Sequence, residues 1–194
     1  MYRISIKGSK LVIKNKGFFS FLSALTILIC LCLPAEGKEN ELFKKVNILP
    51  IRDKKNAPNF SLVSLDGKRV DLKNLKGKVV FLNFWATWCG PCKEEMPSME
   101  TLHQQFKEKD FIFLTISVDY AGVNPVKEFI AKQRYSFPVL IDQKGETLDL
   151  FEVKGIPMTF VIDKKGRMRG KASGPRDWRC QEAVSIVNFL LEEK

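Results

Sequence analysis

Histidine is nearly absent from this 194-residue chain, with His103 the only one. A structural zinc site normally draws on two closely spaced ligand pairs. This chain offers one such pair, Cys89 and Cys92, with Cys180 and His103 as lone residues elsewhere. No metal centre is therefore expected. Internal repeats and low-complexity segments are also missing, which excludes repeat architectures. Acidic residues are in short supply, and the formal net charge is +10. Yet there is no RNA-binding signature and no basic stripe at helical spacing, so no nucleic-acid partner is expected. The later lysines interleave with acids, as in Lys107-Glu108-Lys109, and read as a solvated surface.

No uncharged apolar run reaches the roughly 20 residues that a membrane-spanning helix needs. The longest, Phe18 to Leu33, has 16 residues and follows Arg3, Lys7, Lys10, Lys14 and Lys16. A basic flank ahead of an apolar core is the pattern of an export leader. Ala35 and Gly37 place small residues where a cut before Lys38 would need them. The same run is compatible with a retained N-terminal anchor, its lysines on the cytoplasmic side. A lipoprotein signal fits less well, because Ile29 and Leu31 rather than small residues precede Cys30 and Cys32. Both favoured readings place residues 38–194 outside the cytoplasm, in the periplasm or on the outer face of the cytoplasmic membrane.

Residues 1–37 are thus expected to be a signal peptide or anchor, 38–56 a polar tether and 57–194 the folded domain. Within the domain, Phe60–Leu65 and Arg69–Leu72 read as strands about the turn Asp66-Gly67. Lys78–Trp85 is a continuous apolar run, which suits a strand buried on both faces. A helix follows over about Pro91–Lys109, with Met96, Met99, Leu102 and Phe106 forming its apolar face. Pro97 lies inside it, a position that kinks helices. Then come a strand over Phe111–Val118, a helix over Pro125–Gln133 and a strand over Val139–Ile141. Gly145–Phe151 is a short helix or loop. Thr159–Ile162 and Arg167–Lys171 form a hairpin, and Gln181–Glu193 closes the chain as a helix. This order predicts an α/β domain, a mixed sheet with helices on both faces.

Leader cysteines aside, Cys89, Cys92 and Cys180 remain. The pair Cys89-Gly90-Pro91-Cys92 stands after a strand and at the start of a helix. There, free backbone N–H groups and the helix dipole favour thiolate over thiol. Cys89 reads as the attacking sulfur. Cys92, one turn further in, reads as the sulfur that resolves a mixed disulfide. Pro91 suits the first helical turn. Cys180 has no partner in the sequence and reads as an idle small residue. A purely structural disulfide would close too short a loop to matter.

Phe84-Trp85-Ala86-Thr87-Trp88-Cys89-Gly90-Pro91-Cys92-Lys93 resembles the thioredoxin active-site segment. The order Ala57-Pro58-Asn59-Phe60, Leu65-Asp66-Gly67, Leu75-Lys76-Gly77-Lys78, the cysteine motif and Glu94-Glu95-Met96-Pro97 is similar to the TlpA/ResA-like family of exported, membrane-anchored thioredoxins, over about residues 57–191. The resemblance implies a thioredoxin-like fold with an N-terminal β-hairpin extension. It implies that Gly155-Ile156-Pro157-Met158-Thr159-Phe160 is the segment carrying a cis-proline, facing the cysteines. Ile156 and Pro157, with Trp88, Gly90 and Pro91, would then meet the substrate. Thioredoxins keep a buried aspartate where this chain has Asn83, and an amide cannot take a proton from Cys92. Glu95 matches the glutamate that ResA-like proteins place near their cysteines and is the replacement candidate.

The implied activity is a thiol-disulfide oxidoreductase that needs no cofactor. It would reduce disulfides in client proteins, such as apocytochromes awaiting haem. A membrane-embedded electron donor of the thioredoxin-reducing type would recharge it, and a monomer is expected. A peroxide reductase is the second reading, since the Ala-Pro-Asn-Phe opening is shared with peroxiredoxin-like chains. A binding or chaperone module without turnover is the third.

Overall fold

The computed structural model describes residues 35–193. The expected leader therefore lies, but for its last residues, outside the described residues. The frame is set by β4 (Val79–Trp85), in which all seven residues are buried. It pairs in parallel with β5 (Phe111–Ser117) on one side and antiparallel with β7 (Met158–Ile162) on the other. With neighbours on both edges and helices on both faces, a strand can be apolar throughout. The sheet continues outward from β5 through β6 (Val139–Ile141) to β2 (Ser61–Ser64) and β3 (Arg69–Asp71). From β7 it continues through β8 (Met168–Ser173) to the two-residue edge strand β1 (Leu49–Pro50). The β2–β3 hairpin turns at Gly67, whose φ of +81° suits glycine. It adds to the edge of the sheet beyond β6, as the resemblance implies.

Side chains alternate across a strand, so the sheet divides its residues into two cores. Val79, Phe81 and Trp85 of β4 point to one face, with Phe111 and Phe113 of β5 and Val161 of β7. Helices α1 (Ala35–Lys45), α2 (Gly90–Phe106), α3 (Val123–Gln133) and α5 (Gln181–Glu192) bring residues to this layer. Met96, Met99, Leu102, Ile186, Val187 and Leu190 are fully buried there. Trp178 lies edge-on to Phe81 and Phe113, with ring centres 5.4 and 5.6 Å away. Val80, Leu82 and Phe84 point to the other face, under Phe60, Leu72, Phe151 and Phe160. That side is covered by the short helix α4 (Glu146–Leu150) and a 3-10 turn at Leu72–Leu75. Helix α2 continues through Pro97 without interruption.

Residues 38–56 are not a tether, and that expectation is corrected here. Helix α1 and strand β1 are part of the fold. Glu39, Leu42 and Phe43 form the inward face of α1, and Val46, just past its end, continues the same helical spacing. The polar character of the segment comes from its exposed face. Phe43 and Ile48 seat against Gly170 of β8, where a Cβ would come within 2.6 Å of Ile48 Cγ2 and 2.7 Å of Phe43 Cε2. Burial of two such side chains contributes roughly 1.5–3 kcal/mol each. Arg169, the neighbour of that glycine, falls at the irregularity in the β7–β8 register and reaches the same helical layer. Its buried guanidinium bonds Glu39 at 2.6 Å, Asp163 at 3.3 Å and both oxygens of Glu193. One arginine thus joins α1, the turn after β7 and the end of α5.

Candidate active site

The strand-to-helix step from β4 into α2 places the cysteine pair. Trp85 ends the strand, and Val118 N–H donates to its carbonyl at 2.9 Å. Thr87 is then gripped by Asp119, a buried residue just past β5. The carboxylate accepts from Thr87 N at 3.0 and 3.2 Å and from the Thr87 hydroxyl, while Ser117 Oγ donates to it at 2.7 Å. This grip fixes the approach of Trp88 and Cys89 from one side. Nothing in the sequence pattern marks Asp119 for this part except its place at the end of a buried strand.

Cys89 is the N-cap of α2, and its Sγ accepts from Cys92 N at 3.2 Å. Gly90 and Pro91 form the exposed first turn. Cys89 and Cys92 are joined as a disulfide with an S–S distance of 2.05 Å. The two sulfurs differ in access, since Cys89 keeps 6% of its surface and Cys92 none. The peptide bond between Ile156 and Pro157 is cis, as the resemblance implies. The Ile156 carbonyl oxygen lies 3.9 Å from Cys89 Sγ. Trp88, 57% exposed, stands beside the pair. The structure thus gathers Trp88, Cys89, Gly90, Pro91, Cys92, Ile156 and Pro157 at one end of the sheet. Cys180 is elsewhere, the free N-cap residue of α5.

Glu95 lies one turn beyond Cys92 on the buried face of α2, with 3% of its surface exposed. Its carboxylate contacts neither sulfur through a hydrogen bond in this disulfide form. Asn83 Nδ2 donates to Oε1 at 2.9 Å, and Arg176 N and Trp178 Nε1 each donate to Oε2 at 3.2 Å. Burial pushes the Glu95 carboxyl up to about 7, and these three donors with the Arg176 charge only partly offset it. An open cleft of about 240 Å³, lined in part by Glu94, Ser98, Arg176 and Asp177, reaches Glu95.

Asn83 has a role that the sequence comparison with thioredoxin hides. Its place in β4 puts it on the α2 face, in register between Thr115 of β5 and Thr159 of β7. Besides holding Glu95, its Nδ2 donates to Thr159 Oγ1 at 2.9 Å, while its buried Oδ1 accepts nothing. The polar break in Val-Val-Phe-Leu-Asn-Phe-Trp is the signal that could have found it. Trp178 and Arg176 carried no comparable signal, since they reach Glu95 from a loop more than 80 residues away in the chain.

A thioredoxin-type sheet, a disulfide at the start of a helix and a cis-proline beside it define a thiol-disulfide oxidoreductase. Known proteins agree. The model of the AhpC/TSA family matches residues 54–171. The thiol-disulfide oxidoreductase ResA of Bacillus subtilis is 34% identical over 148 residues, 76% of this chain and 81% of that one. ResA of Bacillus thuringiensis subsp. konkukian is 42% identical over 120 residues, 62% of this chain and 69% of that one. Among solved structures, a thiol:disulfide interchange protein of the thioredoxin family from Chlorobium tepidum superposes with a TM-score of 0.62 at 33% identity, covering 71% of this chain and 97% of that one. The chain belongs to the AhpC/TSA family and, within it, to the ResA-like thiol-disulfide oxidoreductases.

Proposed function

We propose that this protein reduces disulfides of exported client proteins, with Cys89 attacking and Cys92 resolving. The observation that carries the reading is the unequal access of the two sulfurs at one helix start. In the dithiol form, Cys89 thiolate attacks one client sulfur and the other leaves with the client's bonding pair, taking up a proton. Cys92 then gives up its proton and attacks Cys89 Sγ, which releases the first client sulfur as a thiolate. Two electrons pass to the client, and the protein is left with the Cys89–Cys92 disulfide. Glu95, buried on the same face as Cys92, takes the Cys92 proton. A carboxyl that titrates near 7 is matched to that task.

Trp88, Gly90, Pro91, Ile156 and Pro157 form the client contact, with the Ile156 backbone beside the attacked sulfur. The basic and apolar leader places the domain outside the cytoplasm, free or anchored. Among the described residues no helix is long and apolar enough to cross a membrane. Apocytochromes awaiting haem are one client class, and a membrane-embedded donor of the thioredoxin-reducing type restores the dithiol of a monomeric protein. An insulin-disulfide reduction assay tests the reading. The wild type should turn over and Cys89→Ser should not. Cys92→Ser should accumulate mixed disulfide. Equal activity in Cys89→Ser would overturn the assignment, and an inactive wild type that still binds clients would favour a binding module.

A further inference from the structure

The side chain of Arg176 does not point to the carboxylate that its own backbone holds. Its Nη1 donates to the carbonyls of Val46 and Asn47 at 2.7 and 3.0 Å, and its Nη2 to those of Ser173 and Gly174 at 2.8 and 3.2 Å. Val46 and Asn47 form the link from α1 to β1. Ser173 ends β8 and Gly174 follows it, and Gly174 N–H in turn donates to the Pro157 carbonyl at 2.9 Å. The guanidinium also lies over the Trp178 ring, 5.5 Å from its centre. Trp178 Nε1 and Arg176 N are two of the three donors to Glu95. One residue therefore touches the N-terminal segment, the turn behind the cis-proline and both loop donors of the buried carboxylate.

We propose that Arg176 is a positioning residue that couples the N-terminal segment, through the loop before α5, to Glu95, so that α1 and β1 form part of the working site. The inference rests on the role given to Glu95 above. The segment that leads in from the leader is then more than a means of attachment. Its docking sets where the positive charge of Arg176 stands and how well Trp178 and the loop backbone present their N–H groups. The groups facing Glu95 are Asn83 from the sheet and Arg176 and Trp178 from the loop, with Cys92 one turn earlier on its own helix. Glu94, Asp177 and Arg179 line the cleft beside it. Arg179 is engaged by Asp177 at 2.9 Å, which leaves Arg176 as the cation that acts on Glu95.

The test is a titration of the Glu95 carboxyl carbon by NMR in the oxidised full chain, compared with the pH profile of insulin reduction. Arg176→Ala should move the Glu95 midpoint upward by about one unit, because a nearby positive charge is lost. Arg176→Lys keeps a charge but cannot reach four carbonyls, and should move it less. Gly170→Ala, which crowds Phe43 and Ile48 off β8, should move it in the same direction with Arg176 intact. A fall in thermal stability with the midpoint unmoved in Arg176→Ala and Arg176→Lys would reduce Arg176 to a structural staple and overturn the proposal. An unmoved midpoint in Gly170→Ala, with α1 released by hydrogen exchange, would overturn the link to the N-terminus. If instead the midpoints move as stated but insulin reduction does not follow them, the coupling stands and the role given to Glu95 fails.

Discussion

Glu95 and Asp163 are both acids taken out of water, at opposite ends of the sheet, and their surroundings push them in opposite directions. Burial acts to raise both. At Asp163, hydrogen bonds from the Arg167 side chain and backbone, and the charges of Arg167 and Arg169, outweigh it and hold the carboxyl below its ordinary value. At Glu95, neutral donors and one side-on arginine leave burial in command. The far end, with Arg169 set among Glu39, Asp163 and Glu193, is built so that charge stays. The site end is built so that a proton can come and go. A buried carboxylate takes its character from whether a cation bonds it directly, and only the arrangement without that bond suits proton transfer near neutral pH.

The largest effect should come from removing the cation at the far end. Arg169→Met leaves Glu39 and Glu193 without their counter-charge, and Asp163 with Arg167 alone, and should cost about 3–5 kcal/mol at pH 7, read from urea unfolding. Reduction of a small disulfide per folded molecule should be unchanged. A loss under about 1 kcal/mol would erase the contrast between the two ends.

Next is Glu95→Gln. A carboxyl raised from 4.5 to about 7 in the folded state binds more protons there than in the unfolded chain. Stability must therefore fall as pH rises from about 4.5 to 7, by about 3 kcal/mol from this one group. In the oxidised protein the variant should lose that slope and should gain on the wild type above pH 7. Its resolution of mixed disulfide should slow and become flat with pH. Asp163 has the opposite sign, since its contribution is present above the ordinary aspartate value and is lost as pH falls through the lowered one. Parallel slopes in wild type and Glu95→Gln would mean that the buried acid carries no proton near 7. The smallest effect should be that of Gly170→Ala, roughly 1–3 kcal/mol of overpacking against Phe43 and Ile48, measured by thermal unfolding.

The two ends also differed in how much of them the sequence revealed. The cysteine pair and its helix are local in sequence, so Cys89, Cys92 and Trp88 could be placed from a few contiguous residues, while Pro157 was placed by the family resemblance alone. Central strands such as β4 and β6 were visible for a similar reason, as short apolar runs bounded by turns. What was hidden depends on distant residues meeting. Arg169 takes its meaning from Glu39, 130 residues earlier. Glu95 is set by Arg176 and Trp178 from a loop far down the chain. Helix α1 looked like a polar spacer because its exposed polar residues, Lys38, Asn40, Glu41, Lys44 and Lys45, outnumber the few that dock it. The spacing of Glu39, Phe43 and Val46 was there to be read, and Glu39 conceals it by being an acid on a buried face.

The amide at position 83 has one further consequence. An amide can turn end for end, offering NH₂ or oxygen, and the Thr159 hydroxyl can rotate to match. With Glu95 ionised, Asn83 presents its NH₂, the arrangement described above. With Glu95 neutral, the turned amide presents Oδ1, now idle, to the acid's O–H and to the threonine. Either state of the acid thus finds a matching partner in the amide without the backbone shifting. An aspartate in the same place would add a second negative charge beside the first. The exchange of an acid for its amide turns a rival proton carrier into a neutral valet for the one that remains.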